Sequence, residues 1–212
     1  MIGEAQGRRK DPNMHDTQIA LVTGASRGIG AEVAQQLAHP GTRVINAPDI
    51  ADETAAESVI ADIRHRFGRL DTLILNAPGV LEHDARAAIR VNRDAQRRIV
   101  ELAMPLMPIG GRVVFVTSHQ AHFYPHKAVP KGYAPIAASM RAGETAMYGM
   151  RYEFNRRGIH FTVVSGNMID GAYFAPPPSA DGFAAAVAGA AQSEYHPGIV
   201  YVGGGSQYLC SA

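Results

Sequence analysis

Thr23-Gly24-Ala25-Ser26-Arg27-Gly28-Ile29-Gly30 follows directly on the apolar run Ile19-Ala20-Leu21-Val22 and opens onto the helix formers Ala31 to Ala38. Strand, glycine turn and helix in that order make a cradle for the pyrophosphate of a dinucleotide. Each glycine has a separate duty. Gly24 lets the strand turn sharply, Gly28 lets the backbone approach phosphate, and Gly30 lets the helix pack close to the strand. The free N–H groups and the positive end of the helix dipole then face the anion.

Outward from this turn, strands and helices alternate. Arg43 to Ala47 reads as a second strand, and Asp52 as the cap of a helix to about Phe67, with Val59, Ile63 and Phe67 at helical spacing and Gly68 as its stop. Leu73 to Leu75 is a buried strand ending in Asn76-Ala77-Pro78-Gly79. A long helix is expected from about Ala85 to Met107, loosened near its end by Pro105. Strand Arg112 to Thr117 follows, then a second long helix from about Pro135 to Arg156, stopped by Gly158. Strand His160 to Val164, the proline run Pro176 to Pro178, an Ala-rich helix and a last strand, Ile199 to Val202, complete the pattern. Continuous apolar strands alternating with helices imply a parallel sheet covered on both faces, a three-layer, doubly wound Rossmann-like α/β fold.

Several of these segments, taken together over about residues 17 to 205, resemble the short-chain dehydrogenase/reductase family. Thr23 to Gly30 is similar to the family's TGxxxGIG turn, and Phe67-Gly68-Arg69-Leu70-Asp71 with Leu73 to Gly79 to its FGRLDxLVNNAG segment. Gly111 to Ser118 is similar to the strand that ends in the catalytic serine, and Arg157 to Ser165 to the strand before the family's PG turn. Asn92 stands where the family has a structural and proton-relay asparagine. The resemblance implies NAD(P)(H)-dependent carbonyl reduction or alcohol oxidation. It implies Ser118, Tyr133 and Asn92 as catalytic candidates. The cofactor-binding candidates are Gly24, Ser26, Arg27, Gly28, Ile29, Gly30, Asp49, Ile50, Asn76 and Ala77. Arg27 resembles the basic residue of members that prefer NADP(H) over NAD(H), since an arginine there can pair with a 2′-phosphate. Pro48-Asp49-Ile50 resembles the segment that contacts adenine.

The chain departs from the family in three places. The family's tyrosine and lysine, four residues apart on one helix, have no full counterpart. Aligning Ala138-Ser139-Met140 with its Ala-Ser-Lys puts Ile136 and Met140 at those positions, and taking Tyr133 as the tyrosine puts Ala137 at the lysine. An unassisted tyrosine, with a pKa near 10, is a poor base at neutral pH. His119 and His122, in an expected loop, are alternative proton donors. Between Gly24 and Asn76 the chain is too short by one βα unit. After the last catalytic strand, Ser165-Gly166-Asn167-Met168-Ile169-Asp170 replaces the family's proline-glycine and threonine pattern, and the lid, about Gly171 to Phe183, is short. Ser118 to Phe123, Tyr133 and the segment holding Tyr173 and Phe174 are expected to line the substrate pocket.

Composition narrows the classes. The 212 residues suit one domain, residues 17–212, after a polar extension, 1–16, which reads as disordered or as codons before a start at Met14. A net charge of +1 points to neither nucleic acid nor a membrane surface, and one cysteine, Cys210, fits a reducing, cytoplasmic setting. The nine histidines show no metal-ligand spacing backed by carboxylates. The expected partners are a small carbonyl or alcohol substrate and another subunit, docked through the two long helices. The expected activity is an oxidoreductase with an altered proton relay. The alternative is an inactive subunit that pairs with an active relative, or that binds cofactor without chemistry.

Overall fold

The structure of the protein, a computed structural model, describes residues 17–76, 85–166, 179–203 and 206–210. Seven strands form one sheet in the order β2-β1-β3-β4-β5-β6-β7. They are β1 (Gln18–Val22), β2 (Thr42–Asn46), β3 (Thr72–Asn76), β4 (Arg112–Ser118), β5 (His160–Gly166), β6 (Ile199–Gly203) and β7 (Ser206–Cys210). The first six run parallel. β7 is an addition to the expected pattern: it pairs antiparallel with β6, Gly203 opposite Ser206. On the far side of β1 from β3 lies one strand where the commonest doubly wound order has two, which is the missing βα unit.

The alternation of side chains along each strand builds two cores. Leu21, Leu73, Leu75, Val113, Phe115 and Val163 face one way, and Ala20, Val22, Ile74, Val114, Val116 and Val164 the other. Helix α1 (Gly28–Leu37) lies on the second face, and α2 (Glu53–Arg66) on the first. Asp52 caps α2 by accepting the Ala55 N–H at 3.1 Å. Asp71 is buried and ties β1 to β3, accepting the Ile19 N–H at 2.8 Å and the Arg69 guanidinium.

The first long helix is more irregular than its sequence suggests. It runs as α3 (Ala85–Ile89), a π-helical segment (Arg90–Ala95), α4 (Gln96–Ala103) and a 3₁₀ turn (Met104–Leu106) that holds Pro105. The second is two helices, α6 (Ala134–Gly149) and α7 (Arg151–Arg157), parted at Met150. Between β4 and α6 the expected loop is in fact a short helix, α5 (His119–His122), capped by Ser118. Helix α8 (Ala180–Gln192) packs its alanine face on α1. No described helix is long and apolar enough to cross a membrane.

Candidate active site

The switch point of this sheet lies between β1 and β3, and ligands of such sheets bind beyond the strands' carboxyl ends there. Thr23 and Asn76 close that end reciprocally. The Thr23 hydroxyl donates to the Asn76 carbonyl and accepts the Asn76 N–H, both at 3.0 Å. Asn76 Nδ2 donates to the Gly24 carbonyl at 3.3 Å, so this side chain shapes the turn from below. Gly24 and Gly28 have φ of +61° and +58°, conformations that L side chains rarely adopt. A methyl on Gly30 would run into the Gly24 carbonyl and stand 2.7 Å from Asn76 Nδ2, so the helix meets the turn as tightly as glycine allows. A methyl on Gly28 would meet nothing within 4 Å. The turn is therefore packed shut on its inner side and open at Gly28, where α1 begins with no side-chain cap and no acidic residue in its first turn. These residues fit a pyrophosphate, whose charge the bare N–H groups attract.

Around the turn, Ser26 and Arg27 are exposed and Ile29 is half-buried against the α1 core. Asp49 is exposed and turned onto its own backbone, accepting the Ala51 N–H at 3.0 Å, while Ile50 is buried. The last residue of β2, where an acid would read a ribose hydroxyl, is the exposed, neutral Asn46. Ala77, Asn167, Asp170, Tyr173 and Phe174 lie outside the described residues.

Ser118 and Tyr133 come together. The buried Ser118 hydroxyl lies 3.4 Å from the Tyr133 hydroxyl, at the carboxyl end of β4 and the start of α6. The same Ser118 oxygen accepts the Ala121 N–H at 3.1 Å. Beyond it the Tyr133 hydroxyl meets the sulfur of Met140 at 4.0 Å, the residue aligned with the family's lysine. Neither neighbour is a cation.

Asn92 sits in the π segment and is joined to a different group. Its Nδ2 donates to the Ser139 hydroxyl at 2.8 Å, and Ser139 donates to the Ile136 carbonyl at 2.8 Å. Gly143 lets α6 lie against this segment, since a Cβ there would run into the Asn92 carbonyl. Asn92 thus pins the helix that carries Tyr133, and its Oδ1 is buried without a hydrogen-bond partner.

His119 and His122 differ in state. Burial pushes the His119 imidazole below its ordinary pKa, against a hydrogen bond to the Ser165 backbone, and its Nε2 has no partner. His119 is therefore a neutral ring offering an acceptor. His122 has both nitrogens engaged, Nδ1 with Glu144 Oε1 at 2.7 Å and Nε2 with the Tyr201 hydroxyl at 2.9 Å. Arg141 donates to the same Glu144 oxygen at 2.8 Å. Glu144 is wholly buried and its other oxygen has no partner. Burial, then the Glu144 charge, pushes the Tyr148 hydroxyl up to about 12. Glu144, Arg141 and Tyr201 belong to no motif, and a charge or hydroxyl within helix and strand patterns is the sole signal they leave in the sequence.

Among known proteins, a model of the short chain dehydrogenase family matches residues 44–177. The chain belongs to this family. A 1-cyclohexenylcarbonyl-CoA reductase of Streptomyces collinus is 30% identical, over 72% of this chain and 65% of that protein. Elsinochrome reductase 1 of Elsinoe fawcettii is 27% identical over 55% of each. The chain thus spans less than two thirds of the length of these two relatives. A short chain dehydrogenase from Burkholderia cenocepacia, solved in complex with NADP, superposes with a TM-score of 0.73 at 27% identity, over 89% of this chain and 97% of that one. Nicotinamide-dependent oxidoreductases of this fold are therefore its kin.

Proposed function

We propose that the protein moves a hydride between a nicotinamide dinucleotide and a small carbonyl compound or alcohol, with NADP(H) preferred to NAD(H). When bound, the reduced nicotinamide would supply the hydride; the chain's residues bind, orient and handle the proton. Gly24, Ser26, Arg27, Gly28, Ile29 and Gly30 hold the pyrophosphate end, with Asn76 beside it, and Asp49 and Ile50 the adenine end; Ala77, a candidate by family likeness, lies outside the described residues. The exposed Arg27 favours a 2′-phosphate, and the neutral Asn46 does not repel one. Ser118 and Tyr133 hold the reacting oxygen, and Asn92 keeps α6 in place beneath them. The observation that carries this reading is the convergence of the Ser118 and Tyr133 hydroxyls at 3.4 Å. That Tyr133 rests against Met140 instead of a lysine supports a proton relay that differs from the family's.

The test is a fluorescence titration with NADPH and NADH, followed by turnover of a panel of cyclic and aromatic ketones. We expect micromolar NADPH binding, weaker NADH binding, and at least a hundredfold loss of ketone reduction in Ser118→Ala. Absence of NADPH binding overturns the reading. Met140 at the lysine position favours a second reading, an inactive subunit paired with an active relative. In that case NADPH binds, no ketone is turned over, and Ser118→Ala changes nothing. In either reading the protein works in the cytoplasm as an oligomer joined through α4 and α6.

A further inference from the structure

The short helix α5 is tied to α6 at both of its ends. At the first, its N-cap Ser118 accepts the Ala121 N–H at 3.1 Å and lies 3.4 Å from the Tyr133 hydroxyl. At the other, its last residue, His122, meets Glu144 Oε1 through Nδ1 at 2.7 Å. Tyr133 folds back along α6, so that its hydroxyl reaches the sulfur of Met140, and Glu144 stands four residues beyond Met140. His122 likewise stands four residues beyond Ser118, and four residues of either helix rise about 6 Å. The two contacts are therefore the ends of one matched span between neighbouring helices.

The two ends differ in strength. The Ser118–Tyr133 contact joins two neutral hydroxyls, at a separation beyond the about 2.5–3.0 Å usual between such oxygens. The His122–Glu144 contact is short and is made to a wholly buried carboxylate. Arg141 donates to the same carboxylate oxygen at 2.8 Å and so holds it on its own helix. The Tyr201 hydroxyl engages the far nitrogen of His122 at 2.9 Å, and Phe123 stacks on the Tyr201 ring, which anchors this end of α5 to β6 as well. Asn92 holds Ser139, about 140° around α6 from Glu144, and braces the helix from another side. Ser118 and Met140, which meet the Tyr133 hydroxyl, are both neutral, so its position against Ser118 follows from how α5 and α6 dock.

We propose that Glu144 and His122 are positioning residues for the reaction: they fix α5 against α6 and thereby hold the Ser118 and Tyr133 hydroxyls at the separation that receives a substrate oxygen. The proposal rests on the reading of the site given above. Neither residue touches that oxygen; both act through the helices that carry them. With the buried carboxylate contact in place, the longer hydroxyl contact has one geometry. With it cut, the N-cap serine and the tyrosine shift independently, each with its own helix. Misplacing reacting groups by about 1 Å costs on the order of a hundredfold in rate. The glycine turn is built on β1, β3 and α1, so the loss falls on kcat and spares NADPH affinity.

The test joins ¹³Cζ NMR of the tyrosines in the full chain with steady-state reduction, by NADPH, of whichever ketone of the cyclic and aromatic panel is turned over fastest. His122 is partly exposed, so His122→Ala keeps the proposal testable if Glu144→Ala does not fold. His122→Ala is expected to lower kcat at least tenfold at equal folded fraction, with NADPH affinity unchanged within threefold. It is also expected to move the Tyr133 resonance in the direction that Ser118→Ala moves it. His122→Asn, whose amide N–H stands in for Nδ1 in donating to Glu144, is expected to bring kcat back to within threefold of the parent and to return the resonance. A merely structural pair would lower stability and leave both kcat per folded molecule and the Tyr133 resonance where they were. That result, or a His122→Asn as slow as His122→Ala, overturns the positioning role and leaves the reading of the site intact. A chain that binds no NADPH, or reduces none of the panel, overturns that reading, and the positioning role falls with it.

Discussion

The two ends of the switch region are finished to different standards. At the glycine turn the polar side chains are paired, since Thr23 and Asn76 satisfy each other and Asn76 holds Gly24. On the α5–α6 side, Thr117 Oγ1, His119 Nε2, Glu144 Oε2 and Ser165 Oγ are buried without a partner, and among the described residues every such orphan falls at or after Asn92. Each costs on the order of 1–3 kcal/mol until it finds a partner. On the proposed reading, the contrast separates a family design that was kept from one that was rebuilt. The proposed cofactor end is a closed, self-supporting turn. The proposed substrate end is a polar interior that a hydroxylated or carbonyl-bearing molecule would complete.

Two buried carboxylates give the strongest way to break that contrast. Asp71 and Glu144 each tie elements together, but Asp71 serves β1 and β3, whereas Glu144 serves the His122 ring. Removing one partner of a buried charge cluster costs about 3–5 kcal/mol. Both Asp71→Ala and Glu144→Ala are expected to lose that much in urea unfolding. NADPH affinity should fall with the first and hold within a few-fold in the second, provided the folded fraction is measured alongside.

Within the turn, Gly30 and Gly28 separate packing from binding. Gly30→Ala drives a methyl into the Gly24 carbonyl, and overpacking of this kind costs about 1–3 kcal/mol. Gly28→Ala has open space but a positive φ, so its cost in stability is about 1–2 kcal/mol, the left-handed penalty alone. The methyl at position 28 instead occupies the space where phosphate is expected. NADPH titration should show the larger loss of affinity per kcal/mol of stability at Gly28→Ala. Equal ratios for the two variants would place the cofactor elsewhere.

Acid separates the two ends by a different route. The His119 pKa is lowered, chiefly by burial, so the unfolded chain takes up a proton near the ordinary value of about 6.5 while the folded chain does not. Stability is therefore full above that pH and falls as pH drops through it, levelling off once the folded ring is protonated. His160 and His196, stacked with centroids 3.5 Å apart, are lowered likewise and add to the same slope. Urea unfolding at pH 7 and pH 5.5 should show the fall, and His119→Gln should lessen it. A slope unchanged by His119→Gln would mean that the ring is protonated in the folded state.

What can be read from the sequence follows the same division. The turn from Thr23 to Gly30 and the Asp52 cap are local, and their residues announce their backbone conformations. The Ser118–Tyr133 pair is legible through family likeness, fifteen residues apart in the chain. The Tyr201–His122–Glu144 cluster is not, because Tyr201 of β6 reaches the consecutive helices α5 and α6 only through strand order. The π segment around Asn92 leaves no mark in composition, since widening a helix by one residue per turn changes hydrogen bonds and not residue types. The break at Met150 and the added pairing of β7 beyond the glycines at 203–205 are likewise decided by tertiary packing.

The smallest effect compares two caps of the same geometry. Asp52 accepts the Ala55 N–H and Ser118 accepts the Ala121 N–H, each from three residues on and each at 3.1 Å. As caps they are equivalent, and replacing either with alanine should cost about 1 kcal/mol in urea unfolding. Only Ser118 also meets a second hydroxyl. Asp52→Ala should therefore leave ketone reduction unchanged at equal folded fraction, while Ser118→Ala, no less stable, should abolish most of it. The cap is exposed in one case and sits at the carboxyl end of β4 in the other, so the same local bond serves folding alone in α2 and, on the proposed reading, also positions a substrate oxygen in α5. If both variants lost activity in proportion to stability, Ser118 would be a cap and nothing more.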